Sequence, residues 1–270
     1  GDGRSEEALG WLLREVEERP YLSTKVRLDL SRLDDIRAQV EASLEQSLKR
    51  LRCDSVELFQ LHNPIGPQTS GERIGVDRVL GKGGVADALD RVREQGLTRF
   101  TGITAFGEAA ACREVIASGR FDSAQIYYNM LNPSAGQDMP PAWRGHDLHG
   151  LIAACKARGV AVMNIRVLAA GVLASDVRHG REAVIMPEAD LPSEERRARA
   201  VVRRLGERHG TRAQSAIRFA LANPEISCVV VGLAELGHLE EALAAAEMGP
   251  LPDDALAALR EVYASGFGEA

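Results

Sequence analysis

Two hydrophobic periods alternate along this chain, and that alternation constrains its fold more than any other feature. Six short runs rich in β-branched residues, at 21–26, 55–61, 100–104, 123–128, 160–167 and 226–231, have the length and composition of strands buried on both faces. Between them the period changes to that of a helix. In 34–51, Ile36, Val40, Leu44, Leu48 and Leu51 fall on one stripe, so one face of a helix is predicted to pack on a sheet. Similar patterns predict helices over 5–16, 84–95, 106–117, 148–158, 193–208, 213–222, 236–246 and 253–264. Gly96, Gly119, Gly159 and Gly210 close four of them, each supplying the left-handed residue that ends a helix. Strand-then-helix order with no low-complexity linker predicts one parallel α/β domain over 1–270, the length class of a TIM-type (β/α)8 barrel of roughly 250 residues. The irregular pieces 64–83, 131–147 and 173–192 each follow a strand, which in a barrel is the face that carries the active site.

Charge and composition exclude several classes. Lys and Arg number 33 against 39 Asp and Glu, a net charge of −6 whose field repels a polyanion, so nucleic acid is not an expected partner. Apolar residues at 45% and charged residues at 27% are those of a folded chain rather than a disordered one. The apolar stretch 167–174 is far short of the roughly twenty residues that span a bilayer, so no membrane helix is expected. Cys53, Cys112, Cys155 and Cys228 lie far apart with no Cys-x-x-Cys pair; buried free thiols in a reducing, cytoplasmic setting are expected. The opening Gly1-Asp-Gly-Arg-Ser-Glu-Glu7 has neither an initiator Met nor a signal-like apolar segment, and reads as cut rather than translated.

Chemistry is sought at strand ends. Lys25 closes an otherwise apolar run, where an ammonium is costly unless it has a carboxylate partner or a task; a lysine snorkelling at a strand terminus is the plainer alternative. His62 closes the next run before Asn63-Pro64, where a hydrogen-bonded core histidine is the plainer alternative. Their occurrence in consecutive strands favours function. His146 and His149 are three apart with no third ligand, so no metal is expected. The mixed-sign run from Glu194 to Arg204 reads as a solvated helix face, and Gly81-Lys-Gly-Gly84 lacks the full phosphate-loop pattern.

Eight segments in order carry a family resemblance: 1–10, Ser23-Thr-Lys25, Ser47-Leu-Lys-Arg-Leu-Arg-Cys-Asp54, Leu58-Phe-Gln-Leu-His62-Asn-Pro64, Gly102-Ile-Thr-Ala-Phe106, Gln125-Ile-Tyr-Tyr-Asn129, Arg166-Val-Leu-Ala-Ala-Gly-Val-Leu173 and 229–242. The chain resembles the aldo-keto reductase family over nearly its whole length. The resemblance implies a (β/α)8 barrel that binds NADP or NAD without a Rossmann fold, in keeping with the lack of a G-x-G-x-x-G after any strand. It implies hydride transfer between the nicotinamide and a small aldehyde, ketone or alcohol, with sugars among the expected substrates. Lys25 matches the lysine that acidifies a tyrosine proton donor, and His62 matches the histidine that orients the substrate.

The resemblance also implies cofactor contacts. Gln125 matches the residue that holds the nicotinamide carboxamide; Thr104-Ala105 replaces the usual Ser-Asn, and Ile165 replaces the stacking aromatic. Arg166, with Leu168 beside it, faces the expected diphosphate, a salt-bridged surface arginine being the alternative. Gly232, His238 and Glu241 match the adenosine end, where Gly232, Leu233 and His238 stand in place of the cations that hold a 2′-phosphate, so at most a modest preference between the two nucleotides is expected. The family's tyrosine and aspartate match no residue here, and six runs against eight suggest that the first two β/α units are missing from this chain. A catalytically weak relative that senses nicotinamide nucleotide is the competing reading, since function resides in the site rather than the fold.

Overall fold

The structure is a computed structural model that describes residues 3–178, 180, 182–187 and 189–268. The backbone divides into two compact units, residues 1–125 with 154–161, and residues 126–153 with 162–270. In chain order the principal elements are α1 (Arg4–Leu12), β1 (Ser23–Val26), α2 (Ile36–Leu51), β2 (Val56–Leu61), α3 (Val85–Glu94), β3 (Thr98–Thr104), α4 (Ala109–Ala117), β4 (Ser123–Tyr127), α5 (Leu151–Arg158), β5 (Ala161–Ile165), α6 (Leu191–Leu205), α7 (Arg212–Leu221), β6 (Cys228–Val229), α8 (Leu236–Met248) and α9 (Asp253–Ala264). Each of the six predicted runs holds a strand. Gly96, Gly119 and Gly159 adopt φ values of 75°, 70° and 65° just beyond their helices, as the helix-stop pattern requires.

In the first unit β1, β2, β3 and β4 form a parallel ladder in that order, with Lys25 level with Gln60, Gln60 with Gly102, and Gly102 with Ser123. Side chains alternate along a strand, so these positions share one face of the ladder while Phe59, Leu61, Ile103 and Ala124 take the other, where all four are fully buried. Gln60 is itself fully buried. Its Oε1 accepts from Ser23 Oγ at 3.2 Å and from Gln125 Nε2 at 3.2 Å, and its Nε2 donates to Ser123 Oγ at 3.3 Å. Gly102 leaves the room for this amide layer: a Cβ there would fall against the Ser123 hydroxyl and 2.8 Å from the Ser123 carbonyl oxygen.

Helix α1 seats on α2, because the backbone at Gly10 lies where any side chain would meet the Arg50 carbonyl. Glu6 of α1 accepts from Thr24 Oγ1 at 2.5 Å and pairs with Arg50 at 3.0 Å. Burial opposes ionisation of Glu6, but hydrogen bonds from Thr24, Ser47 and Arg50 outweigh it and hold its pKa below the ordinary carboxylate value. This seat changes the predicted stripe of α2, where Ser47 is buried and Leu48 only half-buried.

In the second unit β5 and β6 pair in parallel, with Met163 level with Cys228 and Asn164 with Val229. Arg218 of α7 is 9% exposed and its guanidinium donates to three carbonyls, Gly249 at 2.9 Å, His209 at 2.8 Å and Pro250 at 3.0 Å, tying α7 to the segments before α7 and after α8. Val167, Ile217, Ala220 and Ala245 form the adjoining core.

Several expectations are corrected. The run 226–231 yields a strand of only two residues, and the helix expected over 193–208 ends at Leu205, where Gly206 with φ 64° precedes Gly210 as the stop. The 64–83 segment is not wholly irregular: Ile65–Gly66 and Ile74–Gly75 form a short parallel pair followed by a helix at Val76–Leu80. The run from Glu194 is largely the expected solvated face, with Arg196, Arg199, Arg203 and Arg204 exposed, but Glu194 within it is buried and Arg197 lies 5.3 Å over the Phe267 ring. Cys112 and Cys155 are buried free thiols, but Cys228 is exposed on its short strand. Among the described residues no helix is long and apolar enough to cross a membrane.

Gly102→Ala is expected to lower the free energy of unfolding by about 1–3 kcal/mol in urea titrations, the range for overpacking a filled interior. Gly232→Ala, whose added carbon meets no atom within 4 Å, is expected to change it by less than about 0.5 kcal/mol.

Candidate active site

The predicted residues of the first unit gather at the carboxyl ends of its parallel strands. Lys25 is in β1, His62 follows β2, Thr104 ends β3 and Gln125 lies in β4 level with Thr104. Two-residue alternation puts His62 on the same face as Gln60, and Thr104 on the same face as Gly102. The ring of His62 confirms the level, its Nδ1 lying 3.3 Å from Thr104 Oγ1. The Thr104 hydroxyl can donate to Nδ1 or accept from it, according to which ring nitrogen carries the proton. Asn63, to which the sequence pattern gives no role, fixes this end of the ladder: its Oδ1 accepts from Leu28 N at 2.7 Å and its Nδ2 donates to Leu28 O at 3.0 Å, tying the chain after β1 to the chain after β2. Gln60 was also missed; its signal was an amide inside the apolar run 56–61.

Lys25 is half-buried and among the described residues has neither a hydrogen bond nor an ion pair, so burial draws its pKa below the ordinary lysine value. The pKa of His62 is also lowered, first by partial loss of water around the ring and then by the charges of Lys25 and Arg27. The neutral imidazole is therefore the form present at pH 7. Gln125 is 6% exposed and satisfied by the Gln60 side chain rather than by backbone.

Five further predicted residues, Arg166, Leu168, Gly232, His238 and Glu241, line a single cleft of about 590 Å³ in the second unit, within the range of about 300–1,000 Å³ usual for ligand sites. Val167, Ile217 and Val231 supply its apolar wall. Arg166 forms no ion pair among the described residues. Its Nη1 donates to the Ala183 carbonyl at 2.7 Å, which leaves other N–H groups of the fork for an anion. Arg166, Ala169 and Ala170 have φ values of 61°, 46° and 56°, three non-glycine residues in the left-handed region within five positions. Such strain persists only where surroundings impose it, and here Asn129 Nδ2 holds the Arg166 carbonyl at 2.8 Å. Across the cleft α8 begins without a side-chain cap; the His238 N–H bonds the Glu235 carbonyl at 3.2 Å, which leaves the N–H groups of Leu236 and Gly237 for an acceptor. His238 Nδ1 accepts from the Ala234 N–H at 3.4 Å, and Glu241 accepts a hydrogen bond from the Thr211 hydroxyl. A guanidinium, open helix N–H groups and an apolar wall fit the phosphate and ribose portions of a nucleotide.

Tyr21 is 86% exposed ahead of β1, while Tyr127, Tyr128 and Tyr263 are buried; burial pushes the Tyr128 phenol up to about 12, and Tyr263 donates to the Met130 carbonyl at 3.1 Å. His149 lies 3.2 Å from Asp138, and among the described residues no three His, Cys, Asp or Glu side chains are grouped as metal ligands.

The profile of the Aldo/keto reductase family matches residues 1–264, and the chain belongs to that family, whose members are nicotinamide-dependent oxidoreductases of carbonyl compounds. The match starts at residue 1 and gives no support to the expected loss of two N-terminal β/α units. The chain is similar to L-galactose dehydrogenase of Arabidopsis thaliana, 26% identical over 251 residues that cover 91% of this chain and 70% of that protein. It is similar also to aldo-keto reductase AKR2E4 of Bombyx mori, 27% identical over 148 residues, 55% of this chain and 41% of that one. Among solved structures, the holo form of aldo-keto reductase AKR11C1 from Bacillus halodurans superposes with a TM-score of 0.69 at 17% identity, covering 96% of this chain and 77% of its own. That likeness shows a shared fold, the (β/α)8 barrel type of the family.

Lys25→Met is expected to raise the pKa of His62, because removing a nearby positive charge favours the imidazolium. NMR titration of the ring should show an upward shift, while Arg113→Gln should leave the value unchanged.

Proposed function

We propose that this chain is a single barrel-type domain that transfers hydride between NADP or NAD and a small aldehyde, ketone or alcohol, polar metabolites such as sugars among them. The observation that carries the reading is the placement of Lys25, His62, Thr104 and Gln125 on one face at the carboxyl ends of adjacent parallel strands. The bound nicotinamide would supply the hydride. Delivery to a carbonyl carbon builds negative charge on oxygen, and the chain's task is to hold that charge. With its proton on Nε2 and the Thr104 hydroxyl donating to Nδ1, neutral His62 would donate to the oxygen and orient it. The Lys25 ammonium, half-stripped of water and unpaired among the described residues, stabilises the developing charge more than an exposed lysine would. By the family resemblance Gln125 would hold the nicotinamide carboxamide, Arg166 and Leu168 the diphosphate, and Gly232, His238 and Glu241 the adenosine of a bound nucleotide.

The adenosine end favours neither nucleotide strongly. Gly232 and Leu233 bring no charge, His238 has its Nδ1 engaged by the Ala234 N–H, and Glu241 is acidic, so a 2′-phosphate gains little there. A second reading, a nucleotide-binding relative with weak turnover in the cytoplasm, rests on Lys25 having no hydrogen-bonded phenol or carboxylate among the described residues.

Steady-state kinetics and fluorescence titration with NADH and NADPH test the proposal. Lys25→Met and His62→Ala are expected to lower kcat for carbonyl reduction by on the order of a hundredfold, with nucleotide affinity nearly unchanged, as for groups that act on the transition state. Arg166→Gln is expected to do the reverse, weakening both nucleotides by about tenfold through loss of a charge-assisted hydrogen bond. Nucleotide binding without turnover would favour the second reading; near-normal turnover in Lys25→Met or His62→Ala would return that residue to a structural role.

A further inference from the structure

Helix α6 ends at Leu205, and the chain turns through Gly206 and Gly210, with φ values of 64° and 96°, before α7 opens at Arg212. The turn carries Arg208 and His209, which line a pocket of about 190 Å³ together with Arg204 and with Asp254 from the first turn of α9. His209 is 9% exposed, yet among the described residues neither its ring nitrogens nor the Arg208 guanidinium has a hydrogen bond or an ion pair. The residue is largely buried, but its ring nitrogens are not among the fully buried polar atoms, so they stay open to a ligand of the pocket that His209 lines.

Arg204, Arg208 and Asp254 are the charged residues of the lining, and a buried arginine lies behind it. Arg218 donates to the His209 carbonyl at 2.8 Å from behind, and its other donors go to Gly249 and Pro250, so this buried guanidinium has carbonyl partners only. Arg204 is neutralised by Glu261 at 2.5 Å. Arg208 therefore stands against Asp254, an exposed carboxylate with no partner of its own among the described residues, and the Arg218 guanidinium adds positive charge behind the His209 backbone. A cavity of this size admits a single tetrahedral anion but not a nucleotide. We propose that it binds one phosphate group, as the free ion or as the terminal group of a phosphomonoester, held by the Arg208 guanidinium and a ring N–H of His209. The site is separate in its residues from the nucleotide cleft at Arg166 and does not depend on the function proposed above.

Titration calorimetry with inorganic phosphate at constant ionic strength, balanced with chloride, tests it. One site per chain is expected, weakened by about tenfold or more in Arg208→Gln, where a charge-assisted bond is lost, and by a smaller factor in His209→Asn. Asp254→Asn is expected to tighten binding severalfold, since it removes the opposing carboxylate. Arg208 and Asp254 are both on the surface, so these variants keep the fold. Arg166→Gln is expected to leave phosphate affinity unchanged, which separates this pocket from phosphate bound in the nucleotide cleft. Repeating the titration with glycerol 3-phosphate distinguishes the sources: tighter binding than phosphate marks a phosphomonoester site, weaker binding a site for the free ion. No heat at millimolar phosphate, loss of binding in Arg166→Gln alone, or equal affinities in Arg208→Gln and Asp254→Asn would each overturn the proposal.

Discussion

A fully buried amide at the centre of a parallel ladder has to be satisfied by its neighbours, and in the first unit this requirement organises everything near the candidate site. Gln60 accepts from Ser23 and Gln125 and donates to Ser123. An unmatched amide in that position would cost about 1–3 kcal/mol, so the registers of β1, β2 and β4 are coupled through one side chain. The layer fits only because Gly102, on the strand between, projects nothing into it. The next level along the same face holds His62, Thr104 and Gln125, so the amide layer is the floor on which the chemistry rests.

The second unit answers a similar demand with charge. Arg218 is a buried guanidinium whose donors close three carbonyls left open where helices end, and it holds the chain on either side of α7 and α8 in place. Asn129 and Asn164 do comparable work on the cleft side: Asn129 holds the Arg166 carbonyl, and Asn164 donates to the Tyr128 carbonyl at 2.6 Å. Beside these bonds Arg166, Ala169 and Ala170 hold left-handed backbone, and Arg166 and Leu168 line one cleft. Backbone strain beside a binding cleft is repaid by the packing around it, here the core of Val167, Ile217, Ala220 and Ala245.

Much of the fold was legible because strands and helices have different hydrophobic periods. All six strand runs and the helices between them could be located from spacing alone, and Gly96, Gly119 and Gly159 marked helix ends through their tolerance of positive φ. What escaped was set by contacts distant in sequence. The pairing of Ile65–Gly66 with Ile74–Gly75 involves segments too short to show a period. Burial of Ser47 in preference to Leu48 follows from where α1 lands on α2, and burial of Glu194 from what its helix packs against. The two alanines at 169 and 170 carry no sign of left-handed backbone, since alanine has no preference for it.

The sequence by itself determined the strand-and-helix alternation, the strand ends at which Lys25 and His62 lie, and the resemblance to a family whose motifs recur here in order. Alternation and periodicity are local properties of the chain, and residue identities at strand ends survive in the linear order. The tertiary structure decided that His62 leans on Thr104, that Gln60 rather than backbone satisfies Gln125, that Asn63 ties two strand exits together, and that residues from 166 to 241 close around one cleft. Hydrogen-bond partners and burial depend on which segments meet in space, and no local pattern encodes a meeting of residues dozens of positions apart.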